Sequence, residues 1–229
     1  MIIMRMVNLF SKKITTDMNK ILFIDTLTTG TDPRRCAIYR MAGIFCEESV
    51  NALIEKERFD LKVCPNDNAR IVDTALWTGG TDRKELLSSP KETNVLEDFL
   101  SILDRLVNVR DPQDKIYIAG FTAASSDVPF LRELFVRNGN SHFRDYFYLQ
   151  AIDLMCLSAF TLMNQRQSMP DFHLNTTARF LGIEPKVTQL YNCLVNAETS
   201  IEIYKAVKER MNVGINGYHQ KTTSLIRNF

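Results

Sequence analysis

The stretch KILFIDTLTTGTDP, residues 20–33, decides the fold. Its first half is an apolar run that reaches Asp25, and such a run is typical of a buried strand whose carboxyl end carries a polar group. TDPRR, at residues 31–35, has the composition of a turn. Two more β-rich stretches follow at 37–46 and 51–64, so the three together predict a meander on one side of a sheet.

Beyond Pro65 the apolar spacing becomes helical. We predict helices at residues 69–78, 94–107, from 127 to just before Gly139, 172–181 and 195–211, a strand at 115–121, and a short strand followed by a helix at 150–163. This order predicts an α/β domain of three layers, in which helices flank a central mixed sheet. Polar chemistry in such sheets gathers at the carboxyl ends of strands, where Asp25 and Asp127 stand.

Composition sets the outer bounds. The chain has 229 residues, 45% of them hydrophobic, and a formal net charge of +1, so it can form one globular domain and its total charge demands no nucleic acid. We expect three parts: an N-terminal extension at 1–17, a domain at 18–211 and a C-terminal tail at 212–229. No apolar run is long enough for a membrane span, so no membrane partner is expected.

Five cysteines are present, with no CxxC pair and no histidine at metal-ligand spacing. We expect buried, reduced thiols in a reducing compartment, in the cytoplasm or within a virion.

Several segments resemble the motifs of the DnaQ-like (DEDD) 3′–5′ exonucleases. FIDTLTTGTDP resembles the first motif and AGFTAASSDVPFL the second, while FHLNTTARFLGIEP resembles the helix and loop that precede the third. QLYNCLVNAETSIEIY occupies the place of the third motif, and ALWTGGTD resembles the segment beside the substrate's 3′ end. The resemblance covers about residues 20 to 210. It implies an RNase H-like fold and hydrolysis of phosphodiesters by two metal ions about 4 Å apart, held by four carboxylates.

This sequence keeps only part of that catalytic set. Asp25 and Asp127 match two of the four acids, whereas Leu27 and Asn196 stand where the other two belong, and Tyr191 stands where the family has its histidine base. Leucine cannot coordinate an ion, and asparagine offers a neutral carbonyl oxygen. The resemblance therefore implies no tightly bound metal and at most one loosely held Mg²⁺ or Mn²⁺ between the two aspartates.

The resemblance also implies a set of substrate-contacting positions. Thr122 stands where the family has an asparagine, and Ser126 replaces an apolar residue just before the second-motif acid. The full set is Thr28, Thr29, Trp77, Thr122 and Ser126.

Other polar residues have competing interpretations. Glu198 lies two positions after the degraded third-motif acid, an offset that rotates it about 200° away on a helix. Asp153 matches a strand-end position that is usually structural. Arg34, Arg35 and Arg40 either contact a phosphate backbone or are solvated turn residues.

Three functions remain open. The first is an inactive pseudoenzyme that acts as a binding or structural subunit of a larger assembly, such as a replication complex or a phage particle. Its protein partners would dock through the N-terminal extension or the C-terminal tail, and single-stranded nucleic acid is a second partner to consider. The alternative is a weakly active metal-dependent 3′–5′ exonuclease on single-stranded DNA or RNA. Deliberate inactivation is disfavoured, because a designed knock-out would not also introduce Leu27, Tyr191 and Thr122.

Overall fold

The central sheet explains why residues 21–24 are apolar without interruption. In a computed structural model of the chain, which describes residues 18–50, 52–185 and 192–226 (side chains as far as residue 212), all four of these side chains are buried. Leu22 and Ile24 pack into the core on one face of the sheet, whereas Ile21 and Phe23 pack into the core on the other. A strand covered on both faces needs apolar side chains at every position.

The sheet has five strands in the order β3-β2-β1-β4-β5. β1 pairs antiparallel with β2 and parallel with β4; β2 pairs antiparallel with β3, and β4 pairs parallel with β5. The strands are β1 Asn19–Thr28, β2 Ile38–Glu48, β3 Leu53–Lys62, β4 Ile116–Gly120 and β5 Ile152–Asp153.

Helices cover both faces of this sheet. They are α1 Asp73–Thr78, α2 Arg83–Ser88, α3 Glu92–Leu106, α4 Asp127–Arg137, α5 Phe143–Tyr146, α6 Leu154–Thr161, α7 Leu174–Phe180 and α8 Cys193–Ile226, with a 3₁₀ helix at Met163–Ser168. α3 and α4 pack on the face that carries Leu22, and α6, α7 and α8 pack on the face that carries Phe23. The predicted three-layer α/β fold with a mixed sheet is thus confirmed.

Several details differ from the sequence-based prediction, which had neither α5 nor the 3₁₀ helix. The helix expected at 69–78 begins at Asp73, α2 was not predicted, and α8 continues through Ile226 instead of ending at residue 211. The placement of a tail boundary at 212 stays a prediction.

The cysteines are all free, but they are not all buried. Cys36, Cys46 and Cys193 are buried, Cys64 is partly buried and Cys156 is exposed. The expectation of burial is wrong for Cys156, because it lies on the outward side of α6. Across the described part of the chain, no helix combines the length and the apolar character that crossing a membrane requires.

Candidate active site

Two acids meet at the carboxyl edge of the sheet, where Asp127 is buried and Asp25 is partly buried. Asp25 lies on β1, and Asp127 begins α4, which follows the neighbouring parallel strand β4. The backbone N–H and the hydroxyl of Thr26 both donate to Asp127 Oδ1, at 3.0 and 2.7 Å. At Gly120 a Cβ atom would stand 2.8 Å from the Ile24 carbonyl oxygen and 3.4 Å from Asp127 Oδ2, so glycine allows the close approach of the two strands' ends to this acid.

The first turn of α8 supplies neutral donors to Asp25. Asn196 Nδ2 donates to Asp25 Oδ2 at 3.2 Å, and the Cys193 thiol donates to the same carboxylate. Cys193 and Asn196 are three residues apart, a spacing that places them on one face of the helix. Asn196, which the resemblance aligns with a family acid, therefore points at Asp25.

Burial is the main electrostatic influence on this pair. It raises the pKa of Asp25, and the nearby Asp127 raises it further, while the bonds from Asn196 and Cys193 act in the opposite direction. Burial likewise raises the pKa of Asp127 against the two bonds from Thr26. Burial and the Asp25 carboxylate together raise the pKa of the Cys193 thiol, so this sulfur is a hydrogen-bond donor and not a thiolate.

Leu27 is turned into an apolar cluster beside the site. It packs against Tyr39, Leu76 and Leu86, together with Ile71. These residues join the carboxyl end of β1 to α1 and α2. The position that holds a metal-binding glutamate in the family thus stabilises the packing of two short helices on the sheet.

The other two acids that sequence reasoning considered serve the structure. Asp153 caps α6, with one oxygen accepting the N–H of Cys156 at 3.1 Å and the other accepting the N–H of Ala124 at 3.0 Å. Glu198 accepts from Arg58 of β3 at 3.1 Å, so it faces away from Asp25 as its helical offset predicts.

The five predicted substrate positions differ in exposure and in hydrogen bonding. Thr29 is fully buried; its hydroxyl donates to the Arg70 carbonyl and accepts the N–H of Ala37, so it braces the turn after β1. Thr28 donates to the Gly30 carbonyl at 2.8 Å. Trp77, in contrast, is 70% exposed on α1.

Thr122 and Ser126 form the turn that leads into α4. The N–H of Ser126 donates to the Thr122 carbonyl at 2.9 Å, and the Ser126 side chain makes no capping bond to the helix. Their roles toward a substrate stay predictions. Tyr191 lies outside the described residues.

The donor set of this site does not fit the two-metal centre that the family chemistry requires. Within residues 18–50, 52–185 and 192–226, no group of three or more His, Cys, Asp or Glu side chains is arranged to hold a metal ion. Asp25 and Asp127 accept hydrogen bonds from an amide N–H, a thiol and a hydroxyl, and the nearby Asp153, which raises the pKa of Asp127, has its two oxygens occupied by backbone N–H groups. Two divalent ions need more negative oxygen ligands than this pair provides.

Sequence reasoning found the two acids and missed their donors. Thr26 was hidden because it donates mainly across 101 positions to Asp127, a contact that no local pattern carries. Cys193 could have been found from its three-residue spacing to Asn196.

Comparison with known proteins rests on structure. Neither a protein-family model nor a curated protein sequence matches the chain. Escherichia coli exonuclease I in a zinc-bound complex with single-stranded DNA superposes with a TM-score of 0.67 at 20% identity, over 85% of this chain and 41% of that one. The same enzyme with a 5cy-dT13 oligonucleotide gives 0.67 at 18% identity, over 91% and 46%. Exonuclease I from Methylocaldum szegediense gives 0.63 at 20% identity, over 84% and 41%.

This chain spans less than half the length of those enzymes. At such identities the likeness concerns the fold alone. The chain therefore has the RNase H-like fold of the DnaQ-like (DEDD) exonucleases.

Proposed function

We propose that this chain is an exonuclease-fold pseudoenzyme that acts as a binding or structural subunit of a larger assembly, such as a replication complex or a phage particle. The observation that carries the proposal is the 3.2 Å bond from Asn196 Nδ2 to Asp25 Oδ2. An N–H donor directed at a carboxylate takes an oxygen lone pair that a metal ion would need. The site thus satisfies its remaining acids with its own neutral groups.

The packing of Leu27 supports the same conclusion. Its contacts with Tyr39, Leu76 and Leu86 give this position a structural use that a charged side chain could not fill without being desolvated.

The exit points of the two flanking segments favour an assembly role. Asn19, at the start of β1, pairs with Glu48, and Glu48 in turn accepts hydrogen bonds from Tyr204 and Lys208 of α8. The start of β1 and the part of α8 around Lys208 therefore lie at the same end of the sheet. That end lies about 20 Å along β1 from Asp25, so a partner held there would leave the acid edge open.

Single-stranded nucleic acid is the second partner we propose. The structurally similar exonuclease I chains are bound to oligonucleotides. Such a site would still bind single-stranded nucleic acid but would not hydrolyse it.

The weakly active enzyme remains the second candidate, and one observation favours it. Asp25 and Asp127 still lie close enough for each to affect the ionisation of the other. One loosely held Mg²⁺ or Mn²⁺ would offset that repulsion.

A nuclease assay separates the two candidates. The purified chain is incubated with 3′-labelled single-stranded DNA and RNA in Mg²⁺ or Mn²⁺, beside Asp25→Ala and the triple variant Leu27→Glu/Tyr191→His/Asn196→Asp. We expect no trimming by the unmodified chain above the Asp25→Ala background, because loss of a metal and of the base together costs about six decades in rate. Metal-dependent trimming that Asp25→Ala abolishes would establish the weakly active enzyme instead. Cleavage by the triple variant alone would support a site disabled at these three positions.

The assembly role has its own test. The full chain and versions lacking residues 1–17 or 212–229 are each used for affinity capture from the native source. We expect at least one truncation to lose a partner that the full chain retains. Identical partners for all three versions would rule out docking through these segments.

A further inference from the structure

A small cleft beside the turn after β1 is lined by two arginines. Its volume is about 140 Å³, which is small for a nucleoside and suits a single phosphate group. We call it the arginine cleft; its lining residues are Thr31, Asp32, Arg35, Cys36, Arg70 and Val72.

The cations of this cleft are exposed and uncompensated. Arg35 and Arg70 make no ion pair with any described residue, and neither does Arg34 next to them. Nearby cations behave differently, since Arg40 binds both oxygens of Asp60 at 2.9 and 2.7 Å. The sequence therefore grouped Arg40 wrongly with the other two as a candidate phosphate contact.

One acid belongs to the cleft. Asp32 Oδ1 accepts the N–H of Arg34 at 3.0 Å and thereby shapes the turn. Its single negative charge is outnumbered by the three guanidinium groups of Arg34, Arg35 and Arg70, so the local excess is positive.

A buried ion pair holds the backbone of the turn from behind. Arg137 Nη1 donates to the carbonyls of Pro33 and Cys36, at 3.1 and 3.2 Å, while its Nε donates to Glu92 at 3.0 Å. Glu92 is only 3% exposed, so this support belongs to the core.

The second wall of the cleft is tied to the first. The N–H of Arg70 donates to the Arg35 carbonyl at 2.6 Å, and the Arg70 carbonyl accepts the Thr29 hydroxyl at 2.7 Å. Both arginines thus extend from a fixed backbone into solvent. Binding through such a preorganised frame avoids the cost of ordering the loop.

The cleft lies on the same edge of the sheet as the two acids. Thr31 follows Asp25 by six residues, which limits their separation to about 20 Å. That distance is within the length of a strand that covers a site of about 4–16 nucleotides.

We propose that the arginine cleft binds a backbone phosphate of single-stranded nucleic acid and holds the strand on this edge without cleavage. Guanidinium groups suit this ligand because their planar donors match two phosphate oxygens at once. The inference rests on the proposed pseudoenzyme function and deepens it, since it names a ligand and a place for it.

The test is a binding titration by fluorescence anisotropy, with a labelled oligo(dT) of about 20 nucleotides and the full chain at several salt concentrations. The test variant is Arg35→Gln/Arg70→Gln. The matched control is Arg110→Gln/Arg144→Gln, which removes two exposed arginines that also make no ion pair with a described residue. They lie toward the opposite end of the sheet, because Arg110 precedes β4 and the Arg144 carbonyl binds Lys115 just before it.

We expect the test variant to bind at least about tenfold more weakly, and its salt slope to fall by about 0.7, since the cleft neutralises one phosphate and each neutralised phosphate of a single strand contributes about 0.7. The control should bind within about twofold of the unmodified chain. Arg35→Lys/Arg70→Lys should fall between, because lysine keeps the charge and loses the paired donors.

Several outcomes would overturn the cleft as a nucleic-acid site. These are no binding by the unmodified chain, equal losses in the test variant and the control, or displacement of the oligonucleotide by poly-glutamate as effectively as by unlabelled oligo(dT), which would identify a surface for acidic proteins. Displacement by inorganic phosphate alone at about 1 mM would identify a free-phosphate site. The nuclease assay tests the proposed function separately. A chain that trims DNA would refute the pseudoenzyme proposal, whereas the arginine variants would still test whether the cleft binds nucleic acid.

Discussion

Carboxylates in two places of the molecule have opposite kinds of partner. Glu92 accepts from Arg137 and Asn138 with one oxygen and from the side chain and backbone of Asn66 with the other. Asp25 and Asp127 are bonded only to neutral donors in the described part of the chain, and each adds to the other's cost. The first acid has an internal cation, so it is part of the framework. The second pair has no cation among the described residues, so burial of its charge is compensated by neutral hydrogen bonds alone.

The largest expected effect comes from removing the internal cation. Arg137→Met should lower the free energy of unfolding by about 3–5 kcal/mol, because it leaves Glu92 buried without a compensating charge. Urea denaturation near pH 7 measures it. The double variant Glu92→Gln/Arg137→Met should recover much of the lost stability. If Arg137→Met alone lowers the free energy of unfolding by less than about 1 kcal/mol, Glu92 does not depend on an internal cation, and the contrast with Asp25 and Asp127 is wrong.

The next largest effect is expected from a third acid beside Asp25 and Asp127. Asn196→Asp replaces the amide donor of Asp25 with a third carboxylate, so without divalent ions it should destabilise the fold by about 2 kcal/mol. Adding Mn²⁺ or Mg²⁺ should restore stability, because the new acid completes part of a metal site. Thermal unfolding with chelator and with metal measures both.

Asn192→Asp provides the matched control for that experiment. Asn192 Oδ1 accepts the N–H groups of Leu194 and Val195 at the start of α8, and an aspartate caps a helix equally well. This variant should be nearly neutral and insensitive to metal. Asn196→Asp that is as stable as the unmodified chain in chelator would contradict the picture of an uncompensated pair.

A smaller effect should depend on pH. The pKa of Asp25 is raised from 3.8 to about 7 in the folded chain, so folding favours its neutral form. Its contribution to stability is present below about pH 4 and is lost as the pH rises toward 7. Asp25→Asn should therefore raise the free energy of unfolding by about 1–2 kcal/mol near pH 8 and change it little near pH 4. Urea denaturation at the two pH values measures the difference.

Asp114→Asn is the control for that experiment, because the opposite change in stability is expected. Asp114 pairs with Lys20 at 2.5 Å, so its removal should destabilise the chain near pH 8 instead of stabilising it. Stabilisation by both substitutions, or by neither, would show that the raised pKa of Asp25 does not govern the pH dependence.

The smallest effect is expected at Glu48, which accepts from a neutral hydroxyl and from a cation. Tyr204 donates to it at 2.8 Å and Lys208 at 2.7 Å. Tyr204→Phe should cost about 0.5–1.5 kcal/mol, because one neutral bond is lost while the cation stays. Equilibrium unfolding of Tyr204→Phe and Lys208→Met, measured side by side, should rank the lysine variant as the more damaging; the reverse order would weaken the distinction between charged and neutral partners.

Local pattern was enough for the architecture and for the two acids. Apolar runs ending in polar residues placed Asp25 and Asp127 at strand ends, and the sheet brings those ends together. Contacts over long separations were not readable in this way: Arg137 meets Glu92 across 45 positions, and no periodicity marks the pair. Local signals were also overlooked, since Asp82 caps α2 by accepting the N–H of Glu85.

Helix propensity alone did not predict where the last helix ends. Gly214 and Gly217 favour a helix end, which led the prediction to stop near residue 211, yet α8 continues to Ile226. A helix that is already formed extends at little cost per residue, so two glycines do not oblige it to stop.

The Glu48 junction has a practical consequence for handling the molecule. Because Asn19 and Lys208 both lie beside Glu48, a fluorophore attached at either residue starts from the same pole of the domain. Surface immobilisation by either route should present the opposite pole, with Asp25 and the arginine cleft, toward the solution. Sensor experiments with the two attachments should accordingly report the same ligand accessibility.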